Sequence, residues 1–447
     1  MHQDARGHAV ALSNPAALDA YERALYALQT YRGDPLAPLD EAIGLDAGFA
    51  ASYATKALIL ATFFERRFMR DALAALDQGR DALARGTQRE QALAAAARRI
   101  AEGAWHEGAR MLDRILAEHP RDIVALQAAH LMDFYRGDAL NLRNRVSRVL
   151  PSWSASVPGY AYVLGMHAFG FEECNQYPEA ERAGRRAVAL SEDDAWAVHA
   201  VAHVMEMQGR IEEGIDWYRE TRHVWAGGDN GFAFHNAWHV ALFHMDRAEY
   251  VPALEIFDAR LAGGGEMALV RVDATALLWR LRLEGVDVSA RFGAVADGWE
   301  RALEDESGFY AFNDFHAAMA FAAAGRREAL TRLRLALARA TSRAGSNAEM
   351  TLAVGLGVCE AAIDFCEERF AAAAEKLAGV RDVANRFGGS HAQRDLLTLT
   401  LIEAARRAGL PRLARHYAAE RLVHKPASAW GRRLVERIDA PQARRAA

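Results

Sequence analysis

The chain has 447 residues, 51% of them hydrophobic, which supplies ample material for a core. Its 54 Lys and Arg stand against 59 Asp and Glu for a net charge of −5, with no long block of one sign, and this balance argues against nucleic acid as the main partner. No stretch approaches the roughly 18 uninterrupted apolar residues of a membrane span. The start "MHQDARGHAVALSNP" lacks a basic end ahead of an apolar core, so no membrane association and a cytoplasmic setting are expected.

Beta signals are nearly absent. Ala, Leu, Arg and Glu fill long segments with apolar residues at i, i+3, i+4 and i+7, so an all-α chain is expected. In chain order, "GDPLAPLDEAIGLD" near Gly33 is a weak first copy of a phrase that is clearer in "GAWHEGARMLDRILAEHP" (103–120): Gly at a turn, an aromatic two later, a small residue five later. The phrase returns as "NQYPEAERAGRRAVAL" from Asn175 and "GRIEEGIDWYRETRHV" from Gly209, putting two turns 34 residues apart. It returns again as "AEYVPALEIFDARL" from Ala248, displaced by five extra residues in the loop "AGGDNG" (226–231). Segment 263–310 fits poorly and is expected to form irregular helices closing one part of a coil. "ERFAAAAEKLAGV" near Glu368 and "GLPRLARHYAAERLVHKP" near Gly409 continue the theme, and 431–447 reads as a disordered tail.

A 34-residue helical hairpin is the period of the tetratricopeptide repeat. Ala168, Ala202 and Ala241 each fall seven residues before a turn, where a larger side chain would hold paired helices apart. The expectation is a single tetratricopeptide-repeat-like right-handed α-solenoid over 1–447, six or seven hairpins closed enough to enclose a polar cavity. The cysteines, Cys174, Cys359 and Cys366, are too few and scattered for a disulfide framework or a zinc knuckle, and are expected reduced and mostly buried.

Two i, i+4 histidine pairs sit one hairpin apart: His199 and His203 in "HAVAHVMEMQGR", His235 and His239 in "HNAWH". At 100° per residue, counted from each hairpin's turn, the four directions fall within about a 100° sector. On the repeat's register His235, His199, His203 and Glu206 face the concave groove with His239 at its margin, while His167 and His244 fall on packing positions. Two imidazoles and the Glu206 carboxylate on one stripe, opposite a second histidine pair, form a ligand set suited to Zn²⁺, Fe²⁺ or Mn²⁺. A hydrogen-bonding groove for a polar ligand and plain packing are the competing readings. Ala200, Val201 and Ala202 leave no base inside the motif, unlike H-E-x-x-H.

Further polar residues exceed what solenoid packing needs. "RVDATALLWRL" carries Asp273, which also suits a helix cap, and "FNDFHAAMAF" carries Asn313, Asp314 and His316. "GGSHAQRDLLTLTLIEAA" exposes Ser390, His391, Gln393, Arg394 and Asp395 at a helix start, which reads either as an N-cap with a surface ion pair or as an anion subsite. The aromatic stripe "DWYRETRHVW" (216–225) reads as core.

The run from "PGYAYVLGMHAFGFEECNQYPEAERAG" through "HAVAHVMEMQGR", "HNAWHVALFH", "DATALLWRL", "FNDFHAAMAF" and "FGGSHAQRDLLTLTLIEAA" resembles the tetratricopeptide repeat protein 38 family over nearly the whole chain. That family is named for its fold. The resemblance implies that His167, His199, His203, His235, His239, Asp273, Asn313, His316, His391, Gln393, Arg394 and Asp395 act together. "ECNQY" departs from the family at the turn, where a Gly commonly sits near Asn175. Two functions remain: a small-molecule binder or metal-dependent enzyme built on these residues, or an interaction scaffold taking a peptide in the concave groove. Homo-oligomerisation and the identity of any ligand are left open by the residues.

Overall fold

The computed structural model describes residues 2–262 and 265–440. After a two-residue antiparallel strand pair (His2–Gln3 with Ala9–Val10), twenty-six α-helices follow among the described residues, wound as an α-solenoid of hairpins. Those that matter below are Tyr160–Glu172 with Tyr177–Leu190, Ala195–Gln208 with Ile211–Glu220, Ala233–Asp246 with Tyr250–Arg260, Ala268–Leu283 with Ser289–Glu306, and His391–Arg407 with Pro411–His424.

The turns explain the repeat phrase. Gly209 has φ +69° and needs no Cβ there, whereas Asn175 (φ 61°) and Ala248 (φ 60°) hold the same left-handed conformation as L-residues. Asn is the side chain that tolerates it best, so the departure at Asn175 preserves the turn. Ala168, Ala202 and Ala241 are fully buried. The facing helices are equally pared down: a Cβ at Gly184 would stand 2.5 Å from Val201, and one at Gly214 would stand 2.3 Å from Phe243.

The coil closes on itself. The backbone N–H of Gly231 donates to Tyr31 at 2.7 Å and that of Gly33 to Asp229 at 2.8 Å, so the extra residues of the 226–231 loop grip the end of the first helix. Tyr31 then stacks on Trp196 and Phe232, with ring centroids 6.0 and 5.0 Å away. Glu65 caps the Ala268–Leu283 helix by accepting from Ala268 N at 2.9 Å, and Glu306 accepts from the backbone of Arg66 and Arg67. Residues 31–33 and 65–67 thus tie the start of the chain to the later repeats, and the inner helices are enclosed: in Ala195–Gln208 every residue from Ala195 to Met207 is buried.

Three expectations change. Segment 263–310 forms two long regular helices of 16 and 18 residues, because its extra length lengthens the hairpin; Gly263 and Gly264 lie outside the described residues. The 431–447 stretch starts inside a helix, Ala429–Asp439, whose first amides donate to Asp246 and whose Trp430, Leu434 and Ile438 are buried; residues 441–447 lie outside the described residues. His244 is half-buried and donates to Glu249 at 2.7 Å, while His167 is buried with its Nε2 2.9 Å from Ser147 Oγ. Cys359 is buried, and Cys174 and Cys366 are half-buried, all three free. The 216–225 aromatics are core: the indole N–H of Trp217 donates to Val198 and that of Trp225 to Tyr218, both at 3.0 Å. Among the described residues no helix is long and apolar enough to cross a membrane.

Candidate metal centre

His199 and His203 lie one turn apart on the Ala195–Gln208 helix, which Asp194 starts by accepting from Ala197 N. His235 and His239 repeat the arrangement on Ala233–Asp246. All four are buried, at 2%, 0%, 5% and 0% exposure, and their rings crowd together edge-on or tilted, with neighbouring centroids 4.4 to 5.0 Å apart. The cluster is interior rather than in an open groove: the His391–Arg407 helix packs against the inner helices, with Trp279 donating to Thr400 Oγ1 at 3.0 Å and Arg280 to Ala392 O at 2.6 Å.

Three of the four rings have a carboxylate behind them. His235 Nδ1 donates to Asp273 Oδ2 at 2.7 Å, His239 Nδ1 donates to Glu206 Oε2 at 3.1 Å, and His203 Nδ1 lies 3.5 Å from Glu172 Oε2. The two hydrogen bonds fix the tautomers of His235 and His239 that leave Nε2 at the front, while Glu172 stands behind His203 as a charge without a hydrogen bond. At the front, His199 Nε2 is 2.9 Å from His203 Nε2 and 3.2 Å from His235 Nε2, and His239 Nε2 is buried without a partner. His199, His235 and His239 each offer a ligand nitrogen within 4.8 Å of the others.

Burial, reinforced by the neighbouring imidazoles, pushes His199 and His239 well below the ordinary histidine value, so both are neutral at pH 7. Burial also raises the Asp273 carboxyl, with His235 pulling the other way. For Glu206 burial is outweighed by Lys425 and His203, which hold the carboxyl below its ordinary value.

Glu206 is therefore corrected from a metal-facing group to a supporting one. Its Oε1 accepts from Lys425 Nζ at 2.7 Å and its Oε2 from His239, so both oxygens are engaged away from the imidazole front. Asp273 lies in the middle of its helix, fully buried, and caps nothing.

The 388–395 segment packs on the other side of the same carboxylates. Ser390 and Gln393 form a capping box, which is the structural account of both residues. The anion position at that helix start is filled by the chain itself: Glu173 accepts from His391 N at 2.7 Å and from Arg394 Nη2 at 3.1 Å. His391 Nδ1 is 3.6 Å from Glu172 Oε1, and these acids raise the imidazole above its ordinary value against the effect of burial. Asp395 accepts twice from Arg421, at 2.8 Å each, and lies 3.4 Å from Lys425. Beside them a cavity of about 280 Å³ is lined by His391, Arg394, Asp395, Arg421 and Lys425.

His316 and Asn313 are not drawn into this network. His316 is buried, donates from Nδ1 to Phe312 O at 2.8 Å and packs on the rings of Phe312 and Phe315; burial lowers it to about 3. Asn313 is half-buried and makes no side-chain hydrogen bond among the described residues; its neighbour Asp314 is the buried one, accepting from Gly308 N at 2.9 Å.

The residues missed at the level of sequence are Glu172, Glu173, Arg280, Arg421 and Lys425. Two of them carried a legible signal. Glu172 ends, and Arg280 interrupts, otherwise apolar helical runs, where a charge is tolerated only if paired.

No family model matches the chain. Among solved structures the chain is similar to the APC/C hetero-tetramer Cut9-Hcn1, at 12% identity over 95% of this chain and 76% of that one, with a TM-score of 0.40. It is also similar to the human IFIT1 dimer with m7Gppp-AAAA, at 12% identity over 92% and 95%, with a TM-score of 0.43.

Proposed function

We propose that His199, His235 and His239 hold one divalent transition-metal ion, with His203 beside His199, and that the protein is a metal-binding helical-repeat protein. The observation that carries this reading is the crowding at His199. An imidazole nitrogen donates or accepts one hydrogen bond, yet His199 Nε2 faces two other Nε2 atoms at 2.9 and 3.2 Å. A hydrogen-bonded cluster leaves one of those contacts unsatisfied in a fully buried place, which is costly. An ion at the centre removes the conflict, since tetrahedral Zn–N bonds of 2.0–2.1 Å put ligand nitrogens about 3.3 Å apart.

Carboxylates behind His235 and His239 raise ligand basicity and fix orientation, as supporting groups around metal-bound histidines do. A nitrogen-only front with Glu206 turned away favours Zn²⁺ or Fe²⁺ over Mn²⁺, which prefers oxygen. The assignment to the tetratricopeptide repeat protein 38 family belongs to the same reading, because the motifs that carry the resemblance include these four histidines and Asp273. The competing reading is an interaction scaffold for a peptide or protein, with the histidines as packing.

The test is elemental analysis of untagged protein before and after chelator, with melting followed in parallel. One Zn or Fe per chain, lost to chelator together with a fall in melting temperature, is the expected outcome. Ligands must be neutral, and burial holds His199 and His239 well below the ordinary histidine value, so affinity should hold through about 6.5 and fall only at lower pH. A metal-free protein whose melting ignores chelator and added Zn²⁺ or Fe²⁺ overturns the proposal and leaves the scaffold reading.

A further inference from the structure

We infer that the cavity between the His391–Arg407 and Pro411–His424 helices is a binding site for a small organic anion with an apolar body. It is separate from the histidine centre and shares no ligand with it. At about 280 Å³ it has room for roughly nine water-sized groups, the scale of a small metabolite.

One part of its wall is cationic. Lys425 and Arg421 are 5% and 3% exposed, so their charges reach solvent hardly at all and face protein and cavity. The acids on the same wall are already engaged: Asp395 with Arg421, and Glu420 with Arg381. Donors are left over. The Lys425 ammonium has three N–H groups and two carboxylate neighbours, Glu206 and Asp395. The Arg394 guanidinium has five N–H groups, of which Glu173 and the Gly389 carbonyl take two. His391 lies near Glu172 and Glu173 through Nδ1, and its Nε2 has no protein partner among the described residues. The other part of the cavity is apolar, formed by Met207, Leu377, Leu397 and Leu401. A charged head against Lys425, Arg394 and His391 with a short hydrocarbon body against the leucines satisfies both parts.

The experiment is calorimetric titration of the full chain with octanoate, octyl phosphate, octanol and inorganic phosphate, on chelator-treated and on Zn²⁺-loaded protein. Octanoate or octyl phosphate should bind at one site per chain, about tenfold or more tighter than octanol, since charge-assisted hydrogen bonds are lost with the alcohol. The stronger of the two identifies the head group. Inorganic phosphate, lacking the body, should bind more weakly than either. Arg394→Gln should weaken octanoate by about tenfold. Thr398→Trp, which fills the cavity and touches no ion pair, should abolish binding while leaving a cooperative melt. Equal binding of octanol and octanoate, no binding of any anion at millimolar concentration, or octanoate binding unchanged in Thr398→Trp overturns the inference. Binding to chelator-treated protein tests the cavity alone, so its success or failure is read independently of the metal.

Discussion

Replacing Asp273 by Asn isolates the support behind one histidine without changing the shape of the site. Asp273 Oδ2 accepts from His235 Nδ1 at 2.7 Å, and the carboxylate is fully buried. Asn has the same size in the same place but carries no charge, so the negative charge that raises His235 basicity is removed and the hold on its tautomer is weakened. Loss of such a supporting group lowers metal affinity by about 10- to 100-fold, or about 1.4–2.7 kcal/mol. Without metal the same change acts the other way. Burial raises the Asp273 carboxyl, so the folded chain bears a cost for the ionised form at neutral pH that Asn does not. The expected result at pH 7.5 is a weaker Zn²⁺ affinity, measured by competition against a chromophoric chelator, alongside unchanged or increased denaturant resistance of the metal-free protein. An unchanged affinity refutes the reasoning. A weaker affinity that tracks a collapse of metal-free stability also refutes it, because Asp273 would then be holding the fold rather than tuning a ligand.

Asp194→Asn should keep the cap on the His199 helix while removing a fully buried carboxyl that burial raises to about 7 from its ordinary 3.8. Because the folded value lies above the unfolded one, the protonated group's contribution is fully present below pH 3.8 and lost as pH rises through 7. The variant should therefore gain on the order of 2–4 kcal/mol over the native chain between pH 4 and pH 8, read from denaturant midpoints; parallel profiles would refute this. Gly214→Ala puts a Cβ 2.3 Å from Phe243 Cζ and should cost about 1–3 kcal/mol in the same assay, with Phe243→Leu recovering part of it. Ala248→Gly relieves a left-handed alanine at φ 60° and should raise stability by about 0.5–1 kcal/mol; a loss would mean that the hairpin turn tolerates its side chain without strain.

Helical hairpins, their turns and the small residues at Ala168, Ala202 and Ala241 were legible because each is a local requirement repeated at a fixed period. The convergence of the four histidines was legible for the same reason, since helical phase carries direction. What phase cannot carry is which elements from far away in the chain press against a face. Glu172 sits one hairpin before the His199 pair and Asp273 one hairpin after the His235 pair, while Lys425 is 219 residues from the Glu206 it neutralises. Nothing in the spacing of any one segment announces those partners. Whole-chain charge misleads in a related way: a net of −5 averages over a wall where Arg394, Arg421 and Lys425 gather, so it bears on no particular anionic partner, nucleic acid included.

The burial of the four histidines has consequences. In an open solenoid the concave face is solvent-lined, and a residue there contributes to binding more than to folding. Here Tyr31 stacks on Trp196 and Phe232, Glu65 caps the Asp273 helix, and the His391–Arg407 helix accepts from Trp279 and Arg280, so the imidazoles are buried. The same imidazoles then serve as candidate ligands and as core. Removing one, as in His235→Ala, leaves Asp273 buried without its partner as well as opening a cavity, and a loss of stability follows even if no ion is ever bound. Truncation at this centre cannot separate site from core; substitutions one shell out, at Asp273 or at Glu206 and Lys425 together, keep the packing and change only the charge that the histidines feel.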